Sequence, residues 1–450
     1  MFWGSIGCGH KLRPFAEPEG RGLRVAGGAD RGLGPLIPTK GPELSSKPVT
    51  SIQRHRSDRR SRYKIAMLAP PWIAVPPPGY GGIELVVGLL CEGLVDRGHD
   101  VILFAAPGSR SSARVREVLP ACHPGQIGGA FYEVDHVSRV FAEVEQAAHG
   151  GQPFDVIHDH SGFSAVAMGD RIATPVVHTL HGPFTDEVAR FYTEHADKTQ
   201  LVAISETQRR LAPPQVPIAA VIHNPINVAD WPLGRGDGGY LLWGGRFTQE
   251  KGPHRAIAAA RAAATPLVLA GPVQPGQEDY FHTEIEPYVD GRCVRYVGET
   301  GGERKRRLFA DARGLLMPIR WDEPFGMVMV EALACGTPVI AFPEGAAVEI
   351  VQDGLNGYLV DDEDAMAAAV ARLARIKRPD CRTSVQERFD LDIIAAQYET
   401  IYQRAAATVT NMRISAPVVP IDDPSPVAVL PPAHIRRPLA LSPEAQYGSL

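Results

Sequence analysis

Trp321-Asp322-Glu323-Pro324-Phe325-Gly326-Met327-Val328-Met329-Val330-Glu331-Ala332-Leu333-Ala334-Cys335-Gly336-Thr337-Pro338-Val339-Ile340 is the stretch that decides the fold. The apolar run Gly314-Leu315-Leu316-Met317-Pro318-Ile319 just before it reads as a short strand buried on both faces. Pro324 and Gly326 then break the chain, and Met327 to Cys335 reads as a helix stopped by Gly336 and Pro338. The next strand starts at Val339. A strand, a loop, a helix and a strand in that order belong to a parallel sheet, and such sheets bind ligands at the carboxyl ends of their strands. The N–H groups of Gly326, Met327 and Val328 would point at a phosphate there. Carboxylates are double acceptors, so Glu323 in the loop suits sugar hydroxyls and Glu331 suits the vicinal hydroxyls of a ribose. Two glutamates alone fit a loop charge and a charge on a helix surface better.

Working outward, the same alternation covers most of the chain. Tyr63 to Leu68 reads as a strand, Ile83 to Arg97 as a helix ended by Gly98, and Val101 to Ala105 as the next strand. Asp155 to His158, Pro175 to Leu180 and Leu201 to Ser205 continue a first doubly wound domain over residues 63–232. Pro and Gly gather between Pro225 and Gly239, the natural place for a hinge. A second series follows over 233–390, with strands at Tyr240–Trp243, Pro266–Ala270, Cys293–Val297, Gly314–Ile319 and Pro338–Phe342. The helical stretches His254–Ala264 and Glu303–Ala312 lie between them. The expected fold class is therefore α/β, two Rossmann-like parallel-sheet domains facing a cleft. A last helix over 391–412 is expected to pack back towards the first domain.

The ends read differently. Residues 1–62 hold twelve Lys and Arg against five Asp and Glu and few apolar clusters, so a disordered basic tail is expected there. Residues 413–450 repeat proline among small residues and are expected to be unstructured. The net charge of −5 therefore arises in an acidic body, which disfavours a nucleic-acid partner. Six cysteines lie far apart with no Cys-x-x-Cys pair, which suggests neither a zinc knuckle nor a disulfide framework and fits a reducing cytosol. No apolar run of spanning length occurs. Peripheral membrane contact needs only a basic or apolar patch and stays open.

Two further loops can carry chemistry. Gly244-Gly245-Arg246-Phe247-Thr248-Gln249-Glu250-Lys251-Gly252 follows a strand and precedes a helix, so Arg246 as a fork and Lys251 as a point charge can grip a diphosphate. In Pro76-Pro77-Pro78-Gly79-Tyr80-Gly81-Gly82-Ile83-Glu84, Gly81 and Gly82 let the backbone approach an anion at a helix start. Glu84 stands where a dinucleotide fingerprint would need its last glycine, so that fingerprint is absent and Glu84 complements the helix dipole instead. His158, Asp159, His160, His178 and His181 invite a metal reading. Without helical histidine spacing a polar site-lining or structural role is preferred, with His181 the best candidate to face the cleft. Neither a Gly-x-Ser-x-Gly elbow nor a phosphate-binding Gly-x-x-x-x-Gly-Lys-Ser/Thr loop is present.

Together these residues resemble glycosyltransferase family 4, the retaining nucleotide-sugar transferases of the GT-B fold, over nearly all of residues 63–405. Tyr80-Gly81-Gly82-Ile83-Glu84, Arg97-Gly98-His99-Asp100-Val101, His181-Gly182, Val221-Ile222-His223-Asn224, Gly245-Arg246 with Lys251-Gly252, and Glu323-Pro324-Phe325-Gly326 with Glu331-Ala332 and Gly336-Thr337-Pro338 carry the likeness. It implies that Gly82 faces the diphosphate, that Arg246 and Lys251 clamp it, and that Glu323 contacts the donor sugar. Glu331 would bind the ribose and His181 would lie near the transferred sugar or acceptor. Phe325, Gly326, Met327 and Val328 join the donor contacts. The expected activity is transfer of a hexose from a donor of the UDP-glucose or GDP-mannose type to a carbohydrate, lipid or small-molecule acceptor. The expected route is retention by front-face attack, without a metal or other cofactor, in carbohydrate biosynthesis. The chain departs from the family at Asn224-Pro225-Ile226-Asn227, and Pro343 to Glu349 keeps Gly345 and Glu349 but varies between them. A non-catalytic sugar-nucleotide-binding or regulatory protein is the alternative, which the intact Arg246, Lys251, Glu323 and Glu331 argue against. An oxidoreductase is disfavoured by the missing fingerprint.

Overall fold

A computed structural model describes residues 62–79 and 81–415, with side chains to residue 407. The tail before Arg62, the tail beyond Ser415 and Tyr80 lie outside the described residues.

The first sheet is built from β1 (Lys64–Leu68), β2 (Asp100–Ala105), β3 (Arg114–Glu117), β4 (Val156–Asp159), β5 (Val176–Thr179), β6 (Thr199–Ala203) and β7 (Ile218–Val221). Around it run α1 (Gly82–Asp96), α2 (Ala130–His149), α3 (Ser164–Ala167), α4 (Asp186–His195) and α5 (Glu206–Leu211). The second sheet holds β8 (Leu241–Gly244), β9 (Leu267–Ala270), β10 (Val294–Tyr296), β11 (Gly314–Met317), β12 (Val339–Ala341) and β13 (Gly357–Leu359). Its helices are α6 (Pro253–Ala262), α7 (Glu278–Glu284), α8 (Gly302–Asp311), α9 (Met327–Ala334), α10 (Ala347–Ile350), α11 (Glu363–Val370) and α12 (Arg378–Gln386), followed by α13 (Leu391–Ser415).

Strand order is β3-β2-β1-β4-β5-β6-β7 in one sheet and β10-β9-β8-β11-β12-β13 in the other. All neighbours in both sheets are parallel. The expected pair of doubly wound parallel sheets is therefore present. Central strands such as β8 and β11 are apolar and buried along their length, and β1 is so after Lys64, because helices cover both faces, while the buried β4 ends on the polar His158 and Asp159. In each sheet the strand order reverses beside its first strand, at β1/β4 and at β8/β11, which is where doubly wound sheets receive their ligands.

The chain returns to the first sheet at its end. Ile394, Ala395, Tyr398, Ile401, Tyr402 and Ala405 of α13 share one apolar cluster with Ile65, Met67, Val87 and Leu90. Gly93 on α1 admits the close approach, since a Cβ there would lie 2.7 Å from Leu391 Cδ1. Arg97 holds Glu399 with a two-pronged pair, Nε to Oε1 at 2.7 Å and Nη2 to Oε2 at 2.8 Å. His99 accepts the Tyr63 N–H at Nδ1, so its Nε2 carries the proton donated to Glu399 at 2.9 Å. Burial works to raise the Glu399 carboxyl, but the hydrogen bonds from Arg97 and His99 and the charge of Arg97 outweigh it and hold it below its usual range.

Truncating Glu399 to Ala leaves the largely buried Arg97 without its fork partner. It is expected to lower unfolding stability by about 2 kcal/mol, between surface and fully buried pairs. Urea unfolding measures this, and an unchanged midpoint would contradict it.

Candidate donor-sugar site

The loop after β8 and the loop before α9 meet side by side. Gly252, with φ 69, starts α6 so close to the neighbouring strand end that a Cβ would sit 2.3 Å from the Pro318 carbonyl oxygen. That packing delivers Lys251 to Glu323, and its ammonium donates to Glu323 Oε2 in a largely buried ion pair. Trp321 Nε1 donates to the same oxygen at 2.8 Å, and the ammonium lies 4.5 Å from the Trp321 ring centroid. Trp243 Nε1 fixes the Lys251 carbonyl at 3.1 Å. The two residues assigned from sequence to the diphosphate and to the sugar thus touch each other. Arg246 reaches Gln274 Oε1 at 2.8 Å.

Gly326 caps α9 in the left-handed region, φ 90 and ψ 65, where a side chain would be strained and would meet Met329 Cε at 2.6 Å. No side chain caps that helix, so its first N–H groups, those of Met327 and Val328 among them, are the donors an anion would use. The Phe325 ring is 2% exposed and packs against Phe389 and His223, so it is the backbone of this residue that is left to face a donor.

Glu331 is 2% exposed and bonded through Oε1 to Lys305 Nζ of α8 at 2.6 Å. Sequence reading passed over Lys305, which lies in the basic run Arg304-Lys305-Arg306-Arg307. The signal was that a carboxylate on a buried helix needs a cation, and the neighbouring helix offers one at the matching face.

Across the cleft, Gly81 is needed for contact, because a Cβ there would lie 2.6 Å from Pro77 Cβ. A Cβ on Gly82 would meet nothing within 4 Å, so the backbone is open to an approaching group. Glu84 is buried against this loop, and burial raises its carboxyl above the usual range despite the backbone hydrogen bond that lowers it. The proline loop reaches the second domain, since a Cβ on Gly79 would sit 2.3 Å from Glu299 Oε1 beyond β10.

His181 follows β5 on the same side. His160 Nδ1 and His181 Nε2 share one proton at 2.8 Å. His158 is bonded to Tyr402 and Thr179 at 2.7 and 2.8 Å, and Thr179 to Tyr398 at 2.9 Å. His178 donates from Nδ1 to Asp159 at 2.5 Å, which leaves its Nε2 to accept from Tyr192 at 3.2 Å. These histidines are thus engaged with each other and with hydroxyls. Among the described residues no group of three or more His, Cys, Asp or Glu converges to hold a metal ion. Burial, reinforced by neighbouring histidines, holds His158 and His160 well below the usual range and brings His181 to about 3.

Because these imidazoles stay neutral when folded but bind protons when unfolded, their contribution to stability is complete above pH 6.5 and is lost as pH falls towards their folded values. Melting temperature is expected to fall already between pH 6.5 and 5, before the carboxylates respond. A flat profile over that window would contradict the buried neutral cluster.

Residues 80–230 match the family model described as Glycosyltransferase Family 4, and residues 232–387 match that described as Glycosyl transferases group 1. The phosphatidyl-myo-inositol mannosyltransferase of Mycolicibacterium smegmatis is 27% identical, covering 78% of this chain and 96% of that one. AviGT4, a glycosyltransferase involved in avilamycin A biosynthesis, is 28% identical with a TM-score of 0.58, covering 77% of this chain and 98% of that one. HepE of Anabaena, solved with UDP and glucose, shares the fold at 21% identity and a TM-score of 0.58, over 76% of this chain and 100% of its own. The two family models adjoin along the two sheets, and the full-length correspondence with named glycosyltransferases covers both. The chain belongs to the family 4 type of glycosyltransferases with the GT-B fold.

Proposed function

We propose that this glycosyltransferase moves a hexose from a nucleotide diphosphate sugar, of the UDP-glucose or GDP-mannose type, to an acceptor hydroxyl with retention of configuration and without a metal. The observation that carries this reading is the Lys251–Glu323–Trp321 array beside the uncapped start of α9. HepE, which binds UDP and glucose, lends support to a nucleotide-sugar donor, and the mycobacterial mannosyltransferase lends support to a hexose.

Each part has a chemical task. A donor's hydroxyls would take over Glu323, and its diphosphate would compete for the released Lys251. Arg246 and the N–H groups of Met327 and Val328 would add to the positive field, and Glu331, already oriented by Lys305, would accept from the ribose. In the transfer the bond from the anomeric carbon to the diphosphate oxygen breaks and the acceptor oxygen bonds to the same face. The acceptor proton passes to the departing phosphate oxygen. The protein's work is to stabilise the charge gathering on that phosphate. Glu323 orients the sugar and supports its developing positive charge rather than attacking it. The acceptor, a carbohydrate, lipid or small molecule, would enter along the first domain.

A cytosolic setting fits cysteines that are all free among the described residues. No described helix is long and apolar enough to cross a membrane. Peripheral contact remains compatible with this reading.

Screening nucleotide sugars by thermal shift should reveal one donor that raises the melting temperature, by about 2.7 kcal/mol of added stability at a hundred times its Kd. With that donor, Lys251→Ala and Glu323→Gln are each expected to lower kcat/KM by about a hundredfold or more, the scale of one lost contact to transition-state charge. Near-normal turnover by both folded variants would sink the assignment.

A further inference from the structure

Glu349 sits on α10 of the second domain yet bonds to the first. Its Oε1 accepts the Thr207 N–H at 2.6 Å and its Oε2 accepts the Glu206 N–H at 2.8 Å, both from the first turn of α5. His223 Nε2 lies 3.3 Å from Oε2, and Arg388 donates to the Glu349 carbonyl at 2.6 Å. Burial alone would raise this carboxyl, but the hydrogen bonds from His223, Thr207 and the two backbone N–H groups bring it down to about 2. Ser205 Oγ accepts only the Gln208 N–H at 2.9 Å, one of the donors left free at a helix start, so the Glu206 and Thr207 N–H groups are open to Glu349. The carboxylate from the other domain is a second tie.

That tie lies between the two cleft walls. On the second-domain side, Ala346 N donates to the Glu323 carbonyl at 2.9 Å. Gly345, with φ 53, packs so closely that a Cβ would lie 2.3 Å from Glu323 N. The Glu323 peptide is thus hydrogen-bonded to the segment that leads into α10. On the first-domain side the next residue of α5 is Gln208, 2% exposed. Its Nε2 donates to the carbonyls of Leu180 at 3.2 Å and Gly182 at 2.9 Å, the peptides on either side of His181, while Oε1 accepts the Ile204 N–H at 2.7 Å. Every junction from Glu323 to His181 is a hydrogen bond or a short piece of chain.

We propose that Glu349 is a positioning residue for sugar transfer, setting through α5 and Gln208 where His181 stands relative to Glu323 across the cleft. The proposal rests on the reading of Glu323 and His181 as facing the transferred sugar. It separates this residue from donor binding, because the Glu349 carboxylate itself bonds to α5 and His223 and to none of Gly82, Arg246, Lys251 or the start of α9. Misplacing one wall by a fraction of an ångström costs the chemical step and spares ground-state affinity.

The test uses the full chain and the donor selected by thermal shift, following release of the nucleotide diphosphate. Glu349→Ala is expected to lower kcat by about tenfold or more, with donor KM and nucleotide diphosphate Kd within about twofold. Glu349→Gln, which keeps one acceptor at the same reach, should recover part of the loss. Adding Gln208→Ala to Glu349→Ala should cost no more than the worse single change, since both cut the same strut. Wild-type kcat in Glu349→Ala, a loss in KM that tracks a lowered melting temperature, or additive losses would each overturn the proposal. If Gln208→Ala does not fold, Glu349→Ala and Glu349→Gln decide it between them. A wild-type protein that neither binds nor turns over any nucleotide sugar overturns the functional reading and this one with it. Wild-type turnover with an unaffected Glu349→Ala overturns this one alone.

Discussion

The Lys251–Glu323 ion pair is the contact on which the site depends, because it joins the loop after β8 to the loop before α9. Both groups are largely withdrawn from water, where an unpaired charge would cost several kcal/mol, so each makes the other's position tolerable. The Trp321 indole completes the arrangement by donating to the carboxylate and presenting its ring to the ammonium. A pair of this kind is weak evidence for stability and stronger evidence for use. A substrate that offers hydroxyls to the carboxylate and phosphate to the ammonium can replace it without leaving either charge bare.

The rest of the second domain serves that contact. Gly252 and Gly326 take left-handed conformations at the starts of α6 and α9, which brings the two loops together and leaves helix N–H groups uncapped. Lys305 performs for Glu331 what Lys251 does for Glu323, giving a buried carboxylate a cation. The first domain supplies the facing wall. There α13 anchors the histidine cluster through Tyr398 and Tyr402, so the end of the chain supports residues that its earlier half brings to the cleft.

Much of this was legible in the sequence, for physical reasons. Central parallel strands are buried on both faces, so Ile65 to Leu68 and Gly314 to Met317 announce themselves as apolar runs. β3, Arg114–Glu117, carried no such signal because it is a polar strand at an open edge. β13, Gly357–Leu359, is too short to form a pattern. Loop residues at strand ends were found because their charge has no packing role, which is how Lys251 and Glu323 emerged. The burial of the Phe325 ring was not legible, because a loop position says nothing of where a ring points. Lys305, Gln208 and the Glu349 tie could not be found by spacing, since each acts through a partner far away in the chain.

Under the proposed function, Lys251 is shared between Glu323 and a donor's phosphate. Calorimetric titration of the nucleotide diphosphate into Glu323→Gln tests it most directly, because the substitution removes the competing charge and leaves the cation. Binding as tight as wild type or several-fold tighter is expected, even though this variant transfers sugar about a hundredfold less efficiently. Binding about tenfold weaker than wild type, a loss of about 1.4 kcal/mol, would contradict it.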